Sequence, residues 1–322
     1  MLVLLLLAIS IPLFADSAAS HALTAQMIVT VSYLDDRDTP VPTAADVIVT
    51  QQSQSLSVTR LEALRDDTTP LELMLVIDNC SDFDPGSAGD ELRQFLRSQP
   101  PNTSIGSAYI QGGHLANLRE PSRDRETLIK SLIPPVGCQP ASPFLALREL
   151  ITRWRPGALR RVVIMISDGV DPDIKPGYRS DSAETALQAA QRAGVILYAL
   201  YHPGRQYQTN TSGAVHSGQV LLAHVACETG GQAYFSGFGP LPSLAPFIYD
   251  IDAHLRNQYA LEFVIRANDS HSLQPVTVRS RNQRFNLAAP WAVPDPKTKP
   301  QVSPSSQTTA PSVTQSASVT AR

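Results

Sequence analysis

The spacing of apolar residues changes three times along the chain, and each change marks a boundary in its architecture. Residues 23–70 carry short Val-, Ile- and Thr-rich runs at 27–33 (MIVTVSY), 47–50 (VIVT) and 56–61 (LSVTRL), separated by turn-like DDRDTPVP and QQSQS. From residue 71 the pattern becomes near-continuous apolar runs at 71–77 (LELMLVI), 162–166 (VVIMI) and 195–201 (VILYALY), as expected of strands buried on both faces. Helical spacing fills the intervals at 90–97, 122–132, 144–154, 180–193, 220–229 and 244–255, with Pro156-Gly157 and Gly194 as stops. Residues 104–110 and 114–118 read as a hairpin about Gly112-Gly113, and 233–235 as a short strand.

Buried strands alternating with helices predict an α/β fold: a doubly wound, mostly parallel sheet with helices on both faces, spanning residues 71–256. Right-handed crossovers place its strand-to-helix loops at one edge, where ligands of such folds bind. Residues 257–290 alternate apolar and polar positions at 258–265 (QYALEFVI) and 276–281, and are expected to pack with 23–70 as a small β module. Residues 291–322 are rich in Pro, Ser, Thr and Gln and are expected to be a disordered tail.

The first fourteen residues are almost wholly apolar, too short to span a bilayer, and small residues follow them. That is the order of a secretory signal peptide over 1–22, with cleavage fitting after Ala15 or Ala22. No Lys or Arg precedes the run, so either the true start lies further upstream or the run is an uncleaved anchor; a buried N-terminal strand or helix is the alternative to targeting. The expected location is outside the cell or in the periplasm or envelope, with no membrane span in the mature chain. A hydrophobic fraction of 43 % is enough for a full core, and a net charge of -3 offers no footprint for nucleic acid. Export permits a disulfide, and Cys80, Cys138 and Cys227 leave one cysteine over if any pair forms. Cys227 reads as a buried free thiol, and Arg123, Arg125, Arg153, Arg155, Arg160 and Arg161 as solvated charges. Tyr201, Tyr207, Phe235 and Phe238 could line the sheet edge, but core and loop packing is the expectation.

The first buried run ends in Asp78-Asn79-Cys80-Ser81-Asp82-Phe83-Asp84 and the second in Ser167-Asp168-Gly169-Val170-Asp171-Pro172-Asp173. In a parallel sheet both loops leave from one edge, and crowded carboxylates there would suit a hard divalent cation. Aspartates in such loops also act as turn formers and helix N-caps. His202, His216 and His224 lack zinc spacing, and no nucleophile elbow, phosphate loop or dinucleotide fingerprint is present.

VIDNCSD, VVIMISDGVD and ACETGGQAYF, in this order, resemble three segments of von Willebrand factor A domains. The chain as a whole, over about 27–290, is similar to bacterial, mostly acidobacterial, VWFA-related exported proteins, with their Gln-Tyr-x-Leu motif at Gln258-Tyr259-Ala260-Leu261. The resemblance implies a metal-ion-dependent adhesion site built from Asp-x-Ser-x-Ser, a Thr and a further Asp. Asp78 and Asp168 match it. Cys80 and Asp82 stand at the two Ser positions, and Ala141 or Ser142 at the Thr position. The implied site is therefore degenerate: Asp78, Asp82, Ser142 and Asp168 around weakly bound Mg²⁺ or Mn²⁺, with a thiol where that ion prefers oxygen. The loops carrying Cys80 and Cys138 adjoin in the family, which implies a disulfide across the site. The expected function is a binding module for an extracellular or envelope protein or glycan, rather than an enzyme. The rival expectations are a metal-assisted hydrolase using the aspartates with His202 as base, and a structural envelope protein with an inactive site.

Overall fold

Strands that are apolar at every position need cover on both faces, and the fold supplies it. The computed structural model describes residues 22–34, 40–66, 68–81, 83, 89–155, 160–205, 212–266 and 273–296. The proposed signal segment, except Ala22, lies outside the described residues. The described part begins with β1 (Ala22–Tyr33), β2 (Val47–Gln51), β3 (Gln54–Leu56) and β4 (Val58–Ala63). Next come β5 (Leu71–Asp78), α1 (Gly89–Ser98), β6 (Ser104–Gln111), β7 (His114–Ser122), α2 (Arg125–Lys130) and α3 (Pro143–Arg153). They are followed by β8 (Arg160–Ser167), α4 (Asp181–Ala193), β9 (Val195–Tyr201), α5 (Ser212–Glu228), β10 (Gln232–Tyr234) and α6 (Ala245–Arg256). The described part closes with β11 (Gln258–Arg266), β12 (Gln274–Pro275), β13 (Thr277–Ser280), β14 (Phe285–Ala288) and β15 (Ala292–Val293).

The six-stranded sheet has the order β10-β9-β8-β5-β6-β7, parallel throughout except for β7. Alternation along β5 sorts its side chains to the two faces. Leu73, Leu75 and Ile77 pack with Leu92, Phe95 and Leu96 of α1 and with Ile248, Ile251 and Leu255 of α6. Met74 and Val76 pack with Phe144 and Leu147 of α3, Ala186 of α4 and Leu222 and Val225 of α5. This is the expected doubly wound α/β fold. The flanking strands also meet as expected. β1 and β11 pair antiparallel within the order β14-β1-β11-β4, and β13-β2-β3 forms a second small sheet. Val29, Val49, Leu261, Phe263 and Phe285 form the core between them.

Several expectations are corrected. The helix expected over 122–132 is only α2, because β7 continues to Ser122 opposite Ile105 and Asp124 caps the helix by accepting from Thr127 N–H. Helix α5 starts eight residues before the expected Val220. Residues 291–296 are not tail: β15 pairs with β12, and Val293 and Asp295 are buried, so the folded part passes the expected limit at 290. Residues 297–322 lie outside the described residues. Cys227 is free but exposed, because the buried stripe of α5 runs through Leu221, Leu222, Val225 and Ala226 and leaves it outside.

Arg160 and Arg161 are buried, not solvated. Arg160 is 0 % exposed and spends its donors in four directions. Nε donates to Gln258 Oε1 (3.0 Å), Nη1 to Asp66 Oδ1 (2.7 Å) and Thr69 O (3.3 Å), and Nη2 to Leu255 O (2.5 Å). These acceptors come from the β4–β5 connection, the end of α6 and the start of β11. One guanidinium thus ties the parallel sheet to both chain segments that lead into the β module. Removing one partner of a buried charged network leaves the others desolvated and unsatisfied. Arg160→Ala should lower the unfolding free energy by roughly 3–5 kcal/mol in urea titration. A loss no larger than that of the exposed Arg155→Ala would contradict this.

Candidate functional site

The carboxyl edge of the parallel sheet gathers the ends of β5, β8 and β9. β5 delivers Asp78 and β8 delivers Ser167-Asp168, and the register Ile77↔Ile166 sets the two ends side by side. Gly169 has φ +68°, and a Cβ there would lie 2.5 Å from Gly218 O; a Cβ on Gly218 would lie 2.2 Å from Asp168 O. Helix α5 therefore seats directly on the backbone that carries Asp168, and only glycines allow the approach.

Asp78 and Asp168 are 6 % and 5 % exposed. Asp78 Oδ1 accepts from Cys80 N–H (2.9 Å) and Oδ2 from the Ser167 hydroxyl (2.7 Å). Asp168 Oδ1 accepts from Val170 N–H (2.9 Å). Burial pushes the Asp78 carboxyl above its ordinary value despite these donors. Burial, and then the charge of Asp78, push Asp168 up to about 7.

Cys80 and Cys138 are joined by a disulfide with their Cα atoms 4.9 Å apart. Backbone bonds reinforce this closure: Gly112 N–H to Gln139 O (2.9 Å) and Arg205 N–H to Cys80 O (2.9 Å). The Asn79 side chain donates to Gly137 O.

Ser142 is the N-cap residue of α3, but its hydroxyl meets Ser182 Oγ (2.6 Å) rather than Asp78 or Asp168. Ser182 donates to Asp171 Oδ2 (2.6 Å), Ser180 donates to the same oxygen, and Asp173 N–H donates to Oδ1 (3.0 Å). Burial works against the Asp171 charge, but the bonds from Ser180, Ser182, Asp173 N–H and Ser142 prevail and hold its carboxyl below the ordinary value. Thus Asp78 and Asp168 come together as expected, and Ser142 belongs to a neighbouring cluster. Asp82 and Asp84 lie outside the described residues, and Asp173 is exposed. Ser167, Ser180 and Ser182 were not among the expected site residues. The Ser-Asp-Ser that opens α4 was the available signal, since Ser180 Oγ caps the helix by accepting from Ala183 N–H (2.9 Å). His202 follows β9, donates its N–H to Ser167 O (3.0 Å) and sets its ring edge-on to Phe83 at 5.6 Å.

No protein-family profile matches the chain, and no curated protein matches it in sequence. Solved structures are similar to it at low identity. An aerotolerance-related membrane protein from Bacteroides fragilis shares 13 % identity over 57 % of this chain and 98 % of its own, with TM-score 0.42. Proximal thread matrix protein 1 of the mussel byssus shares 14 % over 64 % of this chain and 51 % of its own, with TM-score 0.44. Three N-terminal domains of the type V pilus tip protein Mfa5 from Porphyromonas gingivalis share 13 % over 48 % and 29 %, with TM-score 0.27. The fold assignment rests on the strand order and register.

The described residues do not by themselves complete a cation site, and Asp82, expected as a ligand, lies outside them. Both oxygens of Asp78 already accept protein donors, and one position expected to carry a ligand hydroxyl is a disulfide sulfur. The Ser142 hydroxyl is engaged elsewhere. Among the described residues, no three His, Cys, Asp or Glu side chains gather as ligands. Mg²⁺ is usually held by one or two carboxylates and keeps several waters, so Asp78 and Asp168 would supply at most two of its six oxygens.

The raised value of Asp168 has a signed consequence for stability. The folded state keeps that proton up to about pH 7, whereas an unfolded aspartate releases it near ~pH 4. Stability therefore falls as pH rises across this window and levels off above it. Asp168→Asn should melt higher than the parent at about pH 8, and the difference should vanish near ~pH 4. Parallel melting curves at all pH values would contradict this. Separately, the disulfide closes a loop of 58 residues, so reducing it should lower the unfolding free energy by roughly 2–4 kcal/mol. Identical urea midpoints with and without reductant would contradict that.

Proposed function

We propose that this chain is an exported binding module of the von Willebrand factor A type, akin to the VWFA-related proteins it resembles. It would act outside the cell or in the envelope and recognise a protein or glycan there through the loops at the carboxyl edge. The supporting observation is what those loops show to solvent. Val136 (97 % exposed) lies just before Cys138, Tyr178 lies in the β8–α4 connection, and Phe235 and Phe238 (55 % exposed) follow β10. Of the residues weighed between lining the edge and packing, Phe235 and Phe238 are exposed, Tyr201 is buried and Tyr207 lies outside the described residues. Apolar and aromatic side chains exposed on one loop-bearing edge are the usual anchors of a recognition surface.

The loops are braced for this task. Gln219 Nε2 donates to Gly237 O (2.6 Å), which holds the loop after β10 over the start of α5. Tyr178 has φ +57°, a backbone conformation a bulky residue adopts only when its surroundings impose it. Its ring stands edge-on to His216 at 5.3 Å. Beneath the loops, the disulfide and the capped carboxylates form a stiff floor. Among the described residues no helix is long and apolar enough to cross a membrane.

The combined variant Tyr178→Ser, Phe235→Ser, Phe238→Ser should keep its melting temperature within a few degrees, because these side chains are exposed. Its binding to envelope fractions of the producing host should fall by about tenfold or more. Unchanged binding would contradict the reading. Turnover of ester, phosphate or peptide substrates with added Mg²⁺ or Mn²⁺, lost in Asp168→Asn, would favour the hydrolase instead.

A further inference from the structure

A second concave surface lies in the β module, built from different residues than the carboxyl edge. A cavity of about 660 Å³ opens between the β2–β3 turn, β12, the start of β13 and Trp291. That volume falls within the roughly 300–1,000 Å³ of small-molecule sites. Its lining is mixed: Ile48, Leu273, Pro275 and Val276 give it apolar surface beside Trp291, and Thr50, Gln52, Ser53 and Thr277 give it amides and hydroxyls, with one guanidinium, Arg279.

Three features show a built surface. Gln51 and Gln274 are buried and joined side chain to side chain (Nε2 to Oε1, 3.2 Å), which fixes two amides in the cavity wall. The buried Gln51 Oε1 has no hydrogen-bond partner within the described protein. A buried acceptor left unsatisfied is costly, so the fold holds this amide in place at some expense. The turn places Gln52 (φ +49°) and Ser53 (φ +66°) in the left-handed region, where such hairpins normally use Asn-Gly, and both side chains stand exposed at the mouth. Trp291 is 53 % exposed, yet its backbone is held on both sides: its N–H donates to Glu228 O (3.0 Å) and its carbonyl accepts from Val276 N–H (2.8 Å).

An indole face on a fixed backbone, beside amides and hydroxyls that both donate and accept, matches the two faces of a pyranose ring. Its C–H face stacks on the aromatic ring, and its hydroxyls need alternating donors and acceptors. A polyanion would call for more than the one cation this lining offers. We propose that this cavity binds a neutral oligosaccharide, with one sugar ring stacked on Trp291 and its hydroxyls bonded to the side chains of Gln52, Ser53, Thr50 and Thr277. The site is independent of the loop-edge reading, and either can fail without the other.

The chain has two tryptophans, and Trp154 is buried, so Trp291 dominates any ligand-induced change in emission. The full chain would be titrated with cello-, xylo-, manno-, malto- and chito-oligosaccharides to about 10 mM, high enough for millimolar affinity, by fluorescence and calorimetry. At least one should bind, with little change in affinity between low and high salt. Trp291→Ala should weaken calorimetric binding by about tenfold or more, and Trp291→Phe, which keeps a stacking face, by less. The combined variant Tyr178→Ser, Phe235→Ser, Phe238→Ser should bind the sugar unchanged. No binding by any member, or equal binding by Trp291→Ala, would overturn the proposal.

Discussion

A guanidinium without access to water sets the frame of this molecule. Arginine keeps its charge at any pH a protein meets, so a buried one must be surrounded by acceptors. Arg160 finds them in Asp66, Thr69, Leu255 and Gln258, at the two points where the chain passes between the parallel sheet and the β module. The same residue stands opposite Leu71 at the start of the β5–β8 pairing. Anchoring this end of β8 fixes its height relative to β5. The far ends, with Asp78 and Asp168, are thereby brought level.

Two carboxylates set side by side and shielded from water repel each other, and the repulsion can be relieved in three ways: by a cation, by a proton or by hydrogen-bond donors. Here the described residues supply donors to Asp78 and raise the proton affinity of Asp168. Asp78 takes both of its bonds from Cys80 N–H and Ser167, and Asp168, pushed up to about 7, holds its proton below neutral pH. Next to them Asp171 remains charged because hydroxyls surround it. The disulfide joins the loop that follows Asp78 to the loop that leads into α3. What this edge presents outward is the set of exposed aromatic side chains above a rigid floor.

The sheet was legible because its strands are apolar at every position, and few arrangements other than a parallel sheet covered on both faces bury such runs. The hairpin at Gly112-Gly113 was legible from its glycines, both of which have positive φ. The meeting of Asp78 with Asp168 followed from parallel strands that end at one edge, and the Cys80–Cys138 bond from the resemblance, which implies that their loops adjoin. Arg160 was not legible, since its burial depends on acceptors about 90 residues away on either side. The destination of Ser142 was hidden for a similar reason: Ser182 and Asp171 compete for it, and only the packing of α3 against α4 brings them near. Residues 291–296 looked like tail because a two-residue strand such as β15 has no periodicity to read.

The central claim is that the Asp78–Asp168 edge is satisfied from within and serves as the floor of a recognition surface. The most direct measurement is the melting temperature of the oxidised protein in chelator and in millimolar Mg²⁺ or Mn²⁺. A ligand that binds only the folded state must raise it. The expected result is no change within error. A rise of several degrees that disappears in Asp168→Ala would show that a cation, not a proton and internal donors, holds the edge, and would contradict the claim.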